Sequence, residues 1–128
     1  MITPALVRHF ATYNRWQNAS IYGAANTLSD EERQRDRGAF WRTIEATLHH
    51  LLWGDRLWLS RLGGTEGPRS KSMPETATEG VDWVTLQGFR REQDAAITAW
   101  ADKEEQAQLD STLTYVSAAN GKQFSQNV

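Results

Sequence analysis

Cysteine is absent from the 128 residues, which removes disulfides, thiolate metal sites and a cysteine nucleophile together. An excess of one charge is missing as well: 14 Lys and Arg face 16 Asp and Glu, for a net charge of −2. Nucleic-acid binders carry a basic face, so that class is not expected. No apolar run reaches the roughly 18–20 residues that cross a bilayer, so no membrane partner is expected. The opening MITPALVRHF lacks the charged start and apolar middle of a secretory signal. Cytoplasm is therefore the expected compartment. The chain also lacks a glycine-rich phosphate loop, G-x-S-x-G, H-E-x-x-H and a Glu-x-x-His pair. What it does have is an ordinary globular composition, 39% apolar and 23% charged, and six tryptophans. Those tryptophans point to a packed core with a crevice or an interface.

The length fits one domain, residues 1–128. Thr3-Pro4 reads as a helix start, with Thr3 as N-cap, and the helix is expected to run to about Thr27. Its apolar seam is Val7, Phe10, Ile21, Ala24 and Leu28. Ser29 and Glu32 fit a capping box before a short acidic helix. A second long helix is expected from Ala39 to Leu62, with Phe40, Ile44, Leu48, Leu51, Trp58 and Leu62 as its seam and Gly63-Gly64 as its stop. The Gly-, Pro- and Ser-rich stretch 63–81 reads as a crossover connection. Asp82 caps a third helix to about Lys103, with Leu86, Phe89, Ile97 and Trp100 buried. Asn120-Gly121 between short β-forming runs predicts a terminal hairpin with a two-residue turn. The fold class is all-α with a small hairpin near the C-terminus. Three long helices leave an antiparallel bundle one helix short, which would uncover about five or six large side chains at roughly 1.5–3 kcal/mol each. The expectation is a C-terminally incomplete domain, or one that borrows a helix from a partner.

At about 100° per residue, His49 falls with Arg42, Glu45, Arg56 and Ser60 on the polar face and reads as solvated. His50 falls at the edge of the seam, one turn before Gly54, where a missing side chain leaves room. It reads either as a core histidine bonded to a carbonyl or as a metal ligand. His9 reads as surface or interface. Three polar residues, Asn14, Asp55 and Gln93, lie on the apolar stripes of the three long helices. They fit inter-helix hydrogen bonds, or a polar pocket of the kind in which bundles build metal and cofactor sites. Arg90 and Asp94 have the spacing of an i,i+4 pair.

Tyr13-Asn-Arg-Trp16-Gln-Asn18 followed by Leu28-Ser-Asp-Glu resembles the opening of the DinB/YfiT metalloprotein superfamily. Thr47-Leu-His-His50-Leu-Leu-Trp-Gly-Asp55-Arg-Leu-Trp58 resembles that family's second-helix motif. Asp94, Ile97 and Trp100, then Leu113-Thr-Tyr115, resemble its third helix and the extended segment after it. The resemblance implies a DinB-like four-helix bundle with a long crossover, often dimeric and bacterial. It also implies a divalent metal, nickel or zinc, on three histidines. The first of these matches His50; the other two belong to a fourth helix and match no residue here. It further implies a metal-dependent thiol transferase, isomerase or hydrolase. A low-molecular-weight thiol and a small-molecule substrate would be its partners, with Asn14, Asp55, Gln93 and Trp58 as pocket candidates. The alternative is a non-catalytic bundle that serves as a ligand-binding or dimerisation module.

Overall fold

A computed structural model describes residues 1–69 and 72–128. The expected connection 63–81 includes residues 70 and 71, which lie outside the described residues. The chain forms α1 (Pro4–Asn26), α2 (Asp30–Gln34), α3 (Ile44–Arg61), α4 (Trp83–Lys103), α5 (Gln106–Leu109), β1 (Thr112–Val116) and β2 (Gln123–Asn127). A single 3-10 turn, Pro74–Ala77, interrupts the crossover between α3 and α4. The described part is mostly helical, with one antiparallel hairpin near its C-terminus.

Side-chain caps set most of the helix starts. Thr3, Ser29 and Asp82 accept the backbone N–H groups of Leu6, Glu32 and Thr85, satisfying donors that a helix leaves orphaned. The second long helix starts five residues later than expected, at Ile44 and not Ala39. Arg42 has φ of 68°, a left-handed conformation that no α-helix continues through. Thr43 then caps the helix by accepting the N–H of Ala46 at 3.0 Å. Phe40 consequently sits in a turn and is 84% exposed.

Cross-helix contacts give the directions. Asn26 meets Trp83, Asn18 meets Asp94, and the Ile2 carbonyl meets Gln106, so α1 runs antiparallel to the α4 stretch. Leu48 and Leu52 pack with Trp83 and Leu86, while Asp55 meets Arg90, so α3 and α4 run parallel. Parallel neighbours need a chain that returns along the bundle. The stretch between α3 and α4, described except for residues 70 and 71, joins the two helices.

The main cluster of the core lies toward one end and comprises Tyr22, Ala25, Leu48, Leu52, Trp83 and Leu86. Tyr22 and Trp83 stack at 5.5 Å between centroids. Arg33 is buried beneath this cluster. Its guanidinium lies 4.5 Å from the Trp83 ring centroid and donates to the carbonyls of Ala25 and Leu28, where the negative end of α1 favours a cation. At the opposite end Leu6, Phe10, Trp58, Leu62, Ile97 and Trp100 line an open apolar groove of about 370 Å³.

The expected seams are therefore rotated. On α1 the buried residues are Ala11, Tyr22 and Ala25, whereas Phe10 and Ile21 are exposed. On α3 the buried residues include Leu52, Trp53 and Leu59, whereas Leu51 and Trp58 are exposed. Size alone misjudges which face of α1 is covered: Ala11 and Ala25 are buried while Phe10 and Ile21 are not. The hairpin forms where expected, but its turn is longer. Ser117 N–H donates to the Lys122 carbonyl across four residues, 118–121, with Gly121 at φ of 68°. Arg61 fastens this hairpin to α3: its guanidinium lies over both Trp58 and Tyr115 and donates to the Val116 carbonyl at 2.7 Å.

Candidate functional site

Two polar centres interrupt the apolar packing. The first is a belt at mid-height, between the core and the groove. Asp94 of α4 is buried, and its Oδ1 accepts Arg90 Nε at 3.0 Å, an Arg90 terminal nitrogen at 2.7 Å and Asn18 Nδ2 at 2.8 Å. Asn14 Nδ2 approaches the same oxygen at 3.4 Å. The buried Arg90 also pairs with Asp55 Oδ2 of α3 at 2.7 Å, so one guanidinium joins two carboxylates. Burial pushes the Asp94 carboxyl above the usual aspartate value against the pull of Arg90 and Asn18. The Tyr22 hydroxyl borders this belt. Burial pushes its pKa up to about 12, and it has no hydrogen-bond partner among the described residues. The belt registers the three long helices against one another, since each contributes at least one member.

Asn14 and Asp55 thus come together, as the stripe argument expected, through Arg90 and Asp94. Those two form the expected i,i+4 pair, but buried, where geometry and not exposure sets its strength. Gln93 is buried too, yet its Nε2 finds no hydrogen-bond partner among the described residues. Trp58 stands against Tyr115 and Arg61 at the hairpin and lines the groove together with Asn14 and Asp55.

The second centre is His50. Its ring lies 4.2 Å from Trp41 and 5.8 Å from Trp53, centroid to centroid, so indole borders it on two sides. Nδ1 lies 2.8 Å from Thr76 Oγ1, on the 3-10 turn of the crossover. Desolvation in this slot lowers the His50 pKa from its ordinary 6.5, which favours the neutral imidazole. Gly54, one turn further on α3, has nothing within 4 Å of where its Cβ would stand, so the space expected beside it is present.

His49 is the correction. It is only 4% exposed, not solvated. The crossover folds back over this face of α3, and the backbone N–H of Glu79 donates to His49 Nδ1 at 3.1 Å. Helical phase placed His49 among polar neighbours but carried no information about a segment thirty residues away. Two adjacent histidines therefore fasten the same crossover to α3. Thr76 and Glu79 escaped sequence reasoning for the same reason, since their partners lie about thirty residues away on α3.

Among the described residues, no three His, Asp or Glu side chains are grouped closely enough to hold a metal ion. No helix among them is long and apolar enough to cross a membrane.

Helices, a hairpin and two adjacent histidines of α3 held by the segment between α3 and α4 define the class: a mostly helical protein with two anchored imidazoles on one helix. The sequence model of the DinB family matches residues 1–127, and the chain belongs to that family. No curated protein and no solved structure matches it.

Proposed function

We propose that His50 donates one imidazole to a divalent-cation site, nickel or zinc, and that the protein serves metal-dependent thiol-transfer or hydrolytic chemistry. The setting of His50 carries this reading. The ring stands at the histidine of the family's second-helix motif, is shifted toward its neutral form by desolvation, and is bordered by Trp41, Trp53 and Thr76. A neutral imidazole whose other nitrogen is hydrogen-bonded is the state in which histidine binds metals.

The fit is partial. His50 suits a cation, but the described residues provide no three-donor group, so further donors are required from outside them. When bound, such a cation supplies the charge that lets a thiol or water lose its proton near neutral pH. This chain's own residues do the rest: Trp41 and Trp53 flank the ring, and Thr76 holds its orientation. A low-molecular-weight thiol as co-substrate and a second copy of the chain as partner accompany this proposal. Calorimetric titration of the protein with Zn²⁺ and Ni²⁺ tests it. His50→Ala is expected to weaken binding by at least tenfold, and equal affinities in the two proteins would dismiss it.

One observation favours a second reading. The groove at the far end from the core is apolar, and Phe10 and Trp58 stay largely exposed along it. A non-catalytic module could take an apolar ligand there. Under that reading His50→Ala leaves ligand binding unchanged, whereas Phe10→Ser abolishes it.

A further inference from the structure

We infer that Thr76 is a positioning residue that fixes the tautomer of His50, leaving the Nε2 lone pair as the ring's reactive site. The argument is a count of protons. A threonine hydroxyl has one proton to give and two lone pairs to receive. Thr76 Oγ1 donates to the Met73 carbonyl at 2.6 Å, so its single proton is committed. The 2.8 Å contact with His50 Nδ1 is then satisfied only if Nδ1 carries the proton and donates. A neutral imidazole has one N–H, so Nε2 is left as a lone pair.

The commitment is rigid because of where Thr76 stands. It is fully buried on the 3-10 turn Pro74–Ala77, whose own backbone bonds, Thr76 N–H to the Met73 carbonyl among them, hold the acceptor and the hydroxyl together. Rotating the hydroxyl proton toward His50 would abandon the Met73 carbonyl. The neighbouring histidine shows the opposite arrangement. A backbone amide can only donate, so Glu79 N–H makes Nδ1 of His49 the acceptor and puts the ring proton of neutral His49 on Nε2. Two adjacent histidines are therefore held in opposite tautomers by one crossover segment.

For the reading of His50 as a cation donor this has a direct consequence: Nε2 is the coordinating atom, and it is ready without proton rearrangement. The tautomer itself does not depend on that reading. It also bars His49 Nδ1 from ligation while the crossover is seated.

The test is long-range ¹H–¹⁵N correlation NMR on the full chain labelled with ¹⁵N-histidine, at a pH where the rings are neutral, with His9→Gln and His50→Gln used for assignment. The expected spectrum shows a protonated Nδ1 and bare Nε2 for His50, and the reverse for His49. Thr76→Val keeps the shape but removes the acceptor, and should shift His50 toward the Nε2-protonated form. Thr76→Ser should restore the native pattern. A wild-type spectrum with His50 protonated on Nε2 would overturn the inference, whether or not the variants fold. So would a folded Thr76→Val protein whose His50 pattern is unchanged. Should the tautomers hold while calorimetry shows no role for His50 in cation binding, the functional proposal fails and this inference stands.

Discussion

Replacing Arg90 by Met keeps most of the side-chain volume and removes the one guanidinium that joins α3 to the carboxylate on α4. Of the four N–H groups directed at Asp94 Oδ1, two belong to Arg90, and they include the shortest contact, at 2.7 Å. Asp94 is 4% exposed and cannot turn to solvent. Removing one partner of a buried ion pair costs about 3–5 kcal/mol. Asp55 also loses its partner, but at 37% side-chain exposure it is rehydrated and adds little.

The cost has a pH dependence whose sign follows from Asp94. Its pKa is already raised by burial, and Arg90 is the largest influence holding it down. Without Arg90 the folded value rises further, so the folded state holds a proton that the unfolded chain has released. Stability of the variant then falls as pH rises above the unfolded aspartate value of about 3.9, until the raised folded value is reached. The expected deficit relative to wild type is about 3 kcal/mol or more near pH 8 and smaller near pH 5. Urea unfolding followed by tryptophan fluorescence measures it, since Trp83 stacks on Tyr22 beside the belt. A deficit under about 1 kcal/mol at both pH values would refute the view that this belt is a buried, mutually dependent network.

Because burial depresses the His50 pKa, the unfolded chain takes up a proton below 6.5 that the folded chain resists. Stability from this group is present above that value and declines as pH falls through it and toward the lower folded pKa. In His50→Gln that part of the acid-side decline should vanish, and urea midpoints between about pH 7 and pH 5 compare the two. Thr43→Ala removes the cap that sets where α3 begins, with an expected cost of about 1 kcal/mol in the same unfolding assay. Arg61→Ala removes the stack on Trp58 and Tyr115 together with the bond to Val116. Amide exchange in β1 and β2 should accelerate more than tenfold while the α4 core is unchanged, corresponding to a local loss of about 1.5–2 kcal/mol.

Local signals in the sequence were read well where their partners are local. Thr3, Ser29 and Asp82 each bond an N–H three residues on, so a capping pattern suffices to find them. Thr43 does the same but was hidden by Phe40, an apolar residue that resembles the start of a seam and in fact sits in a turn. The polar stripe residues Asn14 and Asp55 were recognisable because a polar group amid apolar ones needs a partner. Which partner it takes depends on α4 lying parallel to α3, a fact of topology. The burial of His49 and the anchoring of His50 both come from the crossover, whose composition reads only as loop. The face of α1 that packs carries Ala11 and Ala25, small residues that a seam of large apolar side chains does not single out.

The order of the helices along the chain has a consequence for synthesis. α3 meets the crossover turn soon after both are made, but α1 lies against α4, about eighty residues later in the contact between Asn14 and Asp94. As the chain emerges, Tyr22 and Ala25 have only Leu48 and Leu52 of the buried cluster to meet until Trp83 and Leu86 follow. During that interval α1 lacks the helix it packs against most, with Phe10, Trp16 and Ile21 in water. Nascent-chain handling of this protein should therefore centre on its first thirty residues, the part that waits longest for its neighbour.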